Sequence, residues 1–368
     1  MALITTTPNR KPQKFRGYLS HSLPTEVLNF WLEQFNPIWS LTERRGRLLG
    51  RVSEGKQTFT LRFKVNRLTQ LPRPGQHVDV HTQIGGRWLI RSYSPTRVDP
   101  KDRIIEITVK TLEKGLVSTW LNNKLRTNEI VTFGLPYGHF IWPHSKEAVL
   151  LLAGGTGITP LISLLRAHIN GEQPIQLHYW SKTREEACFI KELEILNRRY
   201  PNFRFKLHLT QQKAEKKNEE NGRITEVFAQ VYDKAQKLAN THVLACGANG
   251  FVKETNRLFA HKSKSFLSEA FSLPTFEGVG AEEHSYKATL LRQNRTITVS
   301  NKQSILDALL KSGIVHPHGC KIGICKSCVC RKVDGQVRDS VSFEFNAEAE
   351  PALRICTAYA ESDIILDL

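Results

Sequence analysis

The sequence predicts three folded units in one chain: a small antiparallel β-barrel, a doubly wound α/β sheet, and a smaller α+β unit around a thiol-rich loop. Three observations lead there. Short alternating apolar runs fill residues 46–143, apolar strands alternate with helical spacing over 144–262, and four cysteines beyond residue 286 follow a C-x4-C-x2-C…C pattern. Residues 1–45 remain as an N-terminal extension and 263–285 as a linker.

In the first unit, the runs at 47–52, 58–65, 77–82, 87–92, 104–110 and 129–134 alternate apolar and polar residues between Gly, Pro and Asn. That is the period of half-buried strands. In the second, strands at 148–153, 175–180, 203–209 and 242–246 alternate with helices at 160–169, 185–200 and 224–238, the order of a parallel sheet covered on both faces. Residues 214–220 read as a charged surface loop and 261–285 as a linker. A hairpin over 286–299 and a serine-capped helix over 304–312 precede the thiol loop. Near the N-terminus, Val27, Leu28, Trp31, Leu32 and Phe35 recur at helical spacing behind Ser22 and Pro24. That apolar face has two readings, packing on its own protein or contact with a membrane or partner.

Composition is that of a soluble globular protein, with 40% hydrophobic and 24% charged residues. The first 16 residues lack the apolar segment of a secretory signal, and the run 148–153 is too short to cross a bilayer, so a cytoplasmic protein is expected. The net charge of +17 is spread along the chain without interleaved stacking aromatics, which argues against nucleic acid. An anionic membrane surface, met peripherally at the inner face, an acidic electron acceptor, and plain solubility all fit that charge.

The thiol pattern is the most specific signal. Cys320, Cys325, Cys328 and the distant Cys356 have the plant-type spacing for a [2Fe–2S] cluster, and Gly319 and Gly323 suit a loop closing on inorganic sulfide. A zinc site would show two paired hooks instead. Cys330 lies two residues past a complete set and reads as a packed thiol, as does Cys188.

Arg91-Ser-Tyr93-Ser94 closes a strand with a cation for phosphate, an aromatic face for an isoalloxazine and a hydroxyl for its N5 edge. The run ending at Lys110 follows, then Gly115-Leu-Val-Ser118, where amides at a helix N-terminus could hold a pyrophosphate. Gly154-Gly155-Thr156-Gly157-Ile-Thr159-Pro160 joins a strand to a helix through a turn open to a dinucleotide. After the next strand come Ser181-Lys-Thr-Arg184, with no carboxylate before Glu185; a hydroxyl and two cations favour NADPH, with NADH still possible.

From Gly46 to Leu368 this order of motifs resembles the ferredoxin–NADP reductase superfamily, in particular members with a C-terminal plant-type ferredoxin domain. The resemblance implies a β-grasp-like [2Fe-2S] domain, FAD held by Arg91, Tyr93, Ser94, Gly115 and Ser118, and NAD(P)H held by the segment Gly154–Pro160. It places Ser94 nearest flavin N5, and Cys246 with Gly247 against the nicotinamide, Cys246 not as a nucleophile. It also implies an external non-haem iron acceptor. The extension and the basic charge point first to a membrane fatty-acyl desaturase, with a soluble ring-hydroxylating or other oxygenase as the alternative and a redox sensor as a second one.

Overall fold

The computed structural model describes residues 24–113, 115–236, 238–271, 283–319, 321, 323, 325–340 and 345–368. Cys320, Ser22 and residues 1–23 generally lie outside that set, so the ligand role of Cys320 and the capping role of Ser22 rest on sequence. Helix α1 (Thr25–Phe35) leads into a seven-stranded antiparallel sheet of β1 (Arg45–Gly55), β2 (Thr58–Val65), β3 (Val78–Ile84), β4 (Arg87–Tyr93), β5 (Pro95–Asp99), β6 (Ile104–Lys110) and, after helix α2 (Leu116–Asn123), β7 (Ile130–Phe133). The spatial order is β4-β3-β7-β1-β2-β6-β5. Its two edge strands, β4 and β5, are consecutive in the chain and separated only by Ser94, so the sheet has to curl until its edges meet there. Leu48, Leu61, Phe63, Val80, Ile107 and Phe133 fill the interior.

The second unit runs β8 (Ala148–Gly154), α3 (Ile158–His168), β9 (Ile175–Ser181), α4 (Ile190–Arg199), β10 (Phe203–Leu209), β11 (Glu219–Asn221), α5 (Glu226–Gln236), β12 (Thr241–Gly247), α6 (Asn249–Phe259) and β13 (Ser265–Ala270). All six strands are parallel, in the order β11-β10-β9-β8-β12-β13. β8 is central and covered on both faces, which is why it reads Val-Leu-Leu-Leu-Ala rather than alternating.

Three expectations change here. Residues 265–270, read as linker, form β13 and pair with β12 along its whole length. Residues 219 and 220, the end of the expected loop 214–220, form β11 with Asn221 on the opposite edge. The helix expected from residue 185 starts at Ile190, because residues 183–189 turn and Phe189 takes a left-handed φ of 61° just before it. β5 also escaped the sequence reading, its alternation being interrupted by Pro95.

The third unit is β-grasp-like, with helix α7 (Ile305–Lys311) beside a mixed five-stranded sheet of β14 (Ser285–Leu290), β15 (Arg295–Ser300), β16 (Val329–Asp334), β19 (Glu350–Arg354) and β21 (Ile364–Asp367) in the order β15-β14-β21-β16-β19. A second, three-stranded sheet pairs β18 (Phe345–Asn346), β17 (Val337–Asp339) and β20 (Ala358–Ala360). Ser304 caps α7 as expected, accepting the Asp307 amide at 3.1 Å. The first two units are latched by polar contacts: Arg166 Nη1 donates to the Thr96 carbonyl at 2.6 Å, the Lys56 amide to the Glu185 carbonyl at 2.7 Å, and Lys110 pairs with Glu186 at 2.6 Å. No helix among the described residues is long and apolar enough to cross a membrane.

Candidate functional site

Where the curled sheet closes on the parallel unit, a cavity of about 300 Å³ opens. Arg91, Tyr93 and Ser94 line it from the β4 edge, Lys110 from the end of β6, Gly115 and Ser118 from the start of α2, and Thr156 and Thr159 from the second unit. Eight residues singled out in sequence thus share one wall. Each has a distinct setting. Arg91 is exposed at the rim, Tyr93 packs its ring against the barrel core with burial holding its phenol protonated, and Ser94 is buried. The Ser118 hydroxyl accepts the Leu112 amide at 3.1 Å and donates to the Gly115 carbonyl at 3.2 Å. It closes the turn, leaving the helix-start amides for an anion. Leu112 and Leu116 line the same cavity and are 61% and 66% exposed, an apolar floor left open by the described residues.

Two residues absent from the sequence reading complete the centre. Ser94 Oγ lies 3.0 Å from His77 Nδ1, and His77 Nε2 lies 2.8 Å from Glu269 Oε2. A carboxylate only accepts, so Nε2 donates to it; in the neutral ring Nδ1 then accepts, and Ser94 donates its proton to the ring. The Ser94 oxygen then faces the cavity as an acceptor. Glu269 also lines a second crevice of about 240 Å³, whose far wall is Gly323, Lys326 and Arg354 of the thiol loop region. The three side chains form a hydrogen-bonded path from one hollow to the other, able to pass a proton. Phe271, the residue after β13, also lines the first cavity and rests edge-on to His77.

At the head of the parallel sheet, the turn Gly155–Gly157 enters α3, and Pro160 sits in its first turn, where no amide partner is lost. Gly157 packs so tightly on β12 that a Cβ there would overlap the Cys246 carbonyl. The Phe251 ring lies against Gly154 and Gly247. Cys246, expected against a nicotinamide, is instead completely buried in the core beneath α3, and desolvation holds its thiol protonated. Gly247 is buried too, under the Phe251 ring, and Ala248 is the first exposed residue at that strand end. Ser181 is buried at the end of β9. Arg184, expected on a 2′-phosphate, is committed elsewhere: its guanidinium pairs with Glu194 at 2.7 Å and with Glu219. Lys182 is the exposed cation of that segment.

Another hollow, of about 890 Å³, lies along the open edge of β10 and holds none of the candidate site residues singled out in sequence. Its size reflects a sheet edge that β11 covers only at Leu207–Leu209.

In the third unit Cys325, Cys328 and Cys356 come together. A hydrogen bond with Cys356 pulls the Cys328 thiol down to about 7, against the resistance of burial. Burial pushes the neighbouring Cys330 up to about 12. The first can be a thiolate ligand at neutral pH and the second is a protonated core thiol. Gly323 has a φ of +80° and touches Thr357, and a Cβ on Gly319 would meet Cys325 Sγ at 3.1 Å, so the loop tolerates nothing larger around the sulfurs. The loop leans on the flavin-side sheet: Gly319 lies near Asp79, whose Oδ1 accepts from Ser92 at 2.6 Å and Tyr137 at 2.8 Å.

Known proteins divide the chain the same way. Residues 46–142 match the model of the oxidoreductase FAD-binding domain, 151–257 that of the oxidoreductase NAD-binding domain, and 288–361 that of the 2Fe-2S iron-sulfur cluster binding domain. An NADPH oxidoreductase of Mycobacterium tuberculosis is 30% identical over 352 residues, covering 92% of this chain and 88% of that one. The chain belongs to the ferredoxin–NADP reductase superfamily. It is one of the reductases that carry their own [2Fe-2S] domain. The glycine betaine monooxygenase reductase subunit of Chromohalobacter salexigens is 26% identical over 335 residues, 82% of this chain and 90% of that one. Among solved structures, phthalate dioxygenase reductase superposes with a TM-score of 0.59 at 21% identity, covering 89% and 98% of the two chains.

The reductase is therefore an NAD(P)H-dependent oxidoreductase whose cofactors are FAD and a [2Fe-2S] cluster. The residues present suit both. The first cavity offers a cation, an apolar floor, a tyrosine face, a serine acceptor and a helix start, and the third unit brings Cys328 beside Cys356 and Cys325. When bound, the flavin accepts two electrons as a hydride and releases them singly, and the cluster carries one at a time.

Proposed function

We propose that this reductase takes NADPH and supplies electrons to the iron centre of an oxygenase component. The observation that supports the electron path is the seam: Ser92 in the flavin cavity bonds Asp79, beside which Gly319 of the thiol loop lies, and His77 in the same cavity bonds Glu269, which lines the crevice under that loop. The choice of acceptor is supported by relatives of nearly the same extent, one of them named as a monooxygenase reductase subunit. A second reading, a membrane fatty-acyl desaturase as acceptor, is favoured only by the outward aromatic face of α1.

Within that route the chain's residues bind, orient and exclude water. Arg91 and the α2 amides supply charge for a pyrophosphate, Tyr93 and Phe271 bound the ring cavity, and Ser94 is aimed by His77. NADPH preference is supported by the absence of a carboxylate at the end of β9 and by exposed Lys182, with Arg184 bracing the loop instead of meeting the phosphate. Lys182→Ala is expected to lower kcat/KM for NADPH about tenfold and leave that for NADH unchanged. A selective loss of NADPH use in Arg184→Ala, with Lys182→Ala silent, would return the role to Arg184.

The acceptor is tested by adding the holoprotein and NADPH to soluble and membrane fractions of the source cells and following oxygen uptake. Uptake restored by the soluble fraction supports the oxygenase reading. Uptake confined to membranes, with a double bond appearing in fatty-acyl chains, overturns it in favour of the desaturase. Steady NADPH-driven ferricyanide reduction removes the sensor alternative.

A further inference from the structure

Helix α1 is mounted with its polar side inward. Asn29 Oδ1 accepts the Leu41 amide at 2.7 Å, Asn29 Nδ2 donates to Thr42 Oγ1 at 3.1 Å, and Glu33 pairs with Arg45 at 2.6 Å. Leu28 and Leu32 are half-buried beside these pins, and no residue of the helix is fully buried. The opposite face presents Phe30, Trp31 and Phe35 at 55%, 57% and 80% exposure, and Trp39 and Leu41 continue it at 49% and 50%. A helix held only for packing turns such a face to the core. Here polar bonds spend themselves on holding large aromatics in water, and a contiguous patch of that kind marks a contact surface.

We propose that the outward face of α1 docks this reductase on an anionic phospholipid surface. Trp and Phe on one side of a short helix suit the headgroup boundary, where an aromatic body is buried and an indole N–H stays wet. Charge selects the lipid. Residues 1–23, immediately ahead of the helix, contain Arg10, Lys11, Lys14 and Arg16 and no carboxylate, and the whole chain carries +17. Each cation near an anionic surface adds attraction over roughly a Debye length. The same charge disfavours a second copy on this face, because pairing two copies through α1 would bring two cationic segments together. The inference stands apart from the acceptor assignment, since a reductase can rest on a membrane and still serve a soluble oxygenase.

The test uses holoprotein with vesicles of mixed phosphatidylglycerol and phosphatidylcholine, and of phosphatidylcholine alone. Co-sedimentation with the anionic vesicles only, reversed by salt, is the expected result. The paired substitution Trp31→Ser and Phe35→Ser should weaken it about tenfold, Trp31→Phe should retain it, and cofactor absorbance and ferricyanide reduction should be unchanged in both. No binding to anionic vesicles at low salt, or undiminished binding by the paired variant, overturns the proposal. So does self-association without vesicles that the pair abolishes, or loss of affinity for the oxygenase by a protein that ignores vesicles; these assign the face to a second copy or to a protein partner.

Discussion

His77 and His178 are both buried, and each makes a 2.8 Å hydrogen bond through a ring nitrogen, one to Glu269 and the other to His208. Their surroundings separate them. Around His178 stand Trp180, Phe228 and Tyr232, with His208 stacked on Trp180 at 4.3 Å, and desolvation pulls the two imidazoles down to about 3 and about 4. They are neutral filler in the nucleotide unit. His77 instead stands between a serine that faces the flavin cavity and a carboxylate that faces the crevice under the thiol loop. Burial alone does not mark a working residue: His178 borders the hollow along β10 among apolar rings, whereas the partners of His77 join the flavin cavity to the crevice under the thiol loop. The same contrast divides the thiols, Cys328 lowered beside Cys356 and Cys330 raised in the core.

The thiol contrast breaks under the largest effect. Cys325→Ser is expected to abolish the visible absorbance of the cluster and lower delivery to the protein acceptor by about a hundredfold or more, while ferricyanide reduction through the flavin survives. Cys330→Ser should keep the cluster. If Cys330→Ser bleaches the protein and Cys325→Ser does not, the ligand set is wrong.

The filler pair is sharpened by acid. The unfolded imidazoles titrate near 6.5 and the folded ones well below, so below pH 6.5 the unfolded chain binds more protons and stability falls with pH, through the window down to about 4 and then 3. By pH 5 the loss is on the order of 2 kcal/mol per imidazole, a size set only by the folded values lying under 5. Melting the native chain and a His178→Leu, His208→Leu variant at pH 7.5, 6 and 5 isolates it, because the acid lability of the cluster is common to both and cancels. Parallel curves would remove the pair as the source.

Most of the site was legible because its chemistry is local in sequence. Arg91 to Ser94, Gly115 to Ser118, Gly154 to Pro160 and the thiol loop each carry their residue types within one turn or strand end. The His77–Glu269 bond joins residues 192 apart and exists only because β13 lies where a linker was expected; Ser-Phe-Leu-Ser-Glu-Ala has no β-branched residue to announce a strand. The available signal was topological: a parallel strand such as β12 is commonly followed by a crossover helix and a further strand, and residues 249–270 supply both as α6 and β13. Arg184 looked like a phosphate ligand because sequence shows a cation but not the two carboxylates that hold it. For α1, periodicity gave two faces without saying which points inward; Asn29 and Glu33 decide that, through partners beyond the helix.

The His77 contrast gives the smallest and most discriminating effect. With Ser94 oriented by His77 and His77 by Glu269, His77→Gln and Glu269→Gln should each slow NADPH-driven flavin reduction about tenfold with FAD still bound, the lower end of what a positioned proton carrier contributes. His178→Gln, an equally buried change, should leave the rate within about twofold while lowering the melting temperature. A merely structural role for His77 would slow the rate with no change in its response to the medium. A relay role also alters the solvent deuterium effect on reoxidation of the reduced flavin, the step that returns a proton to water, and Ser94→Ala in the His77→Gln background should add little, because both changes cut the same path. Full additivity of the two, or an unchanged isotope effect, would reduce His77 to the kind of filler that His178 is.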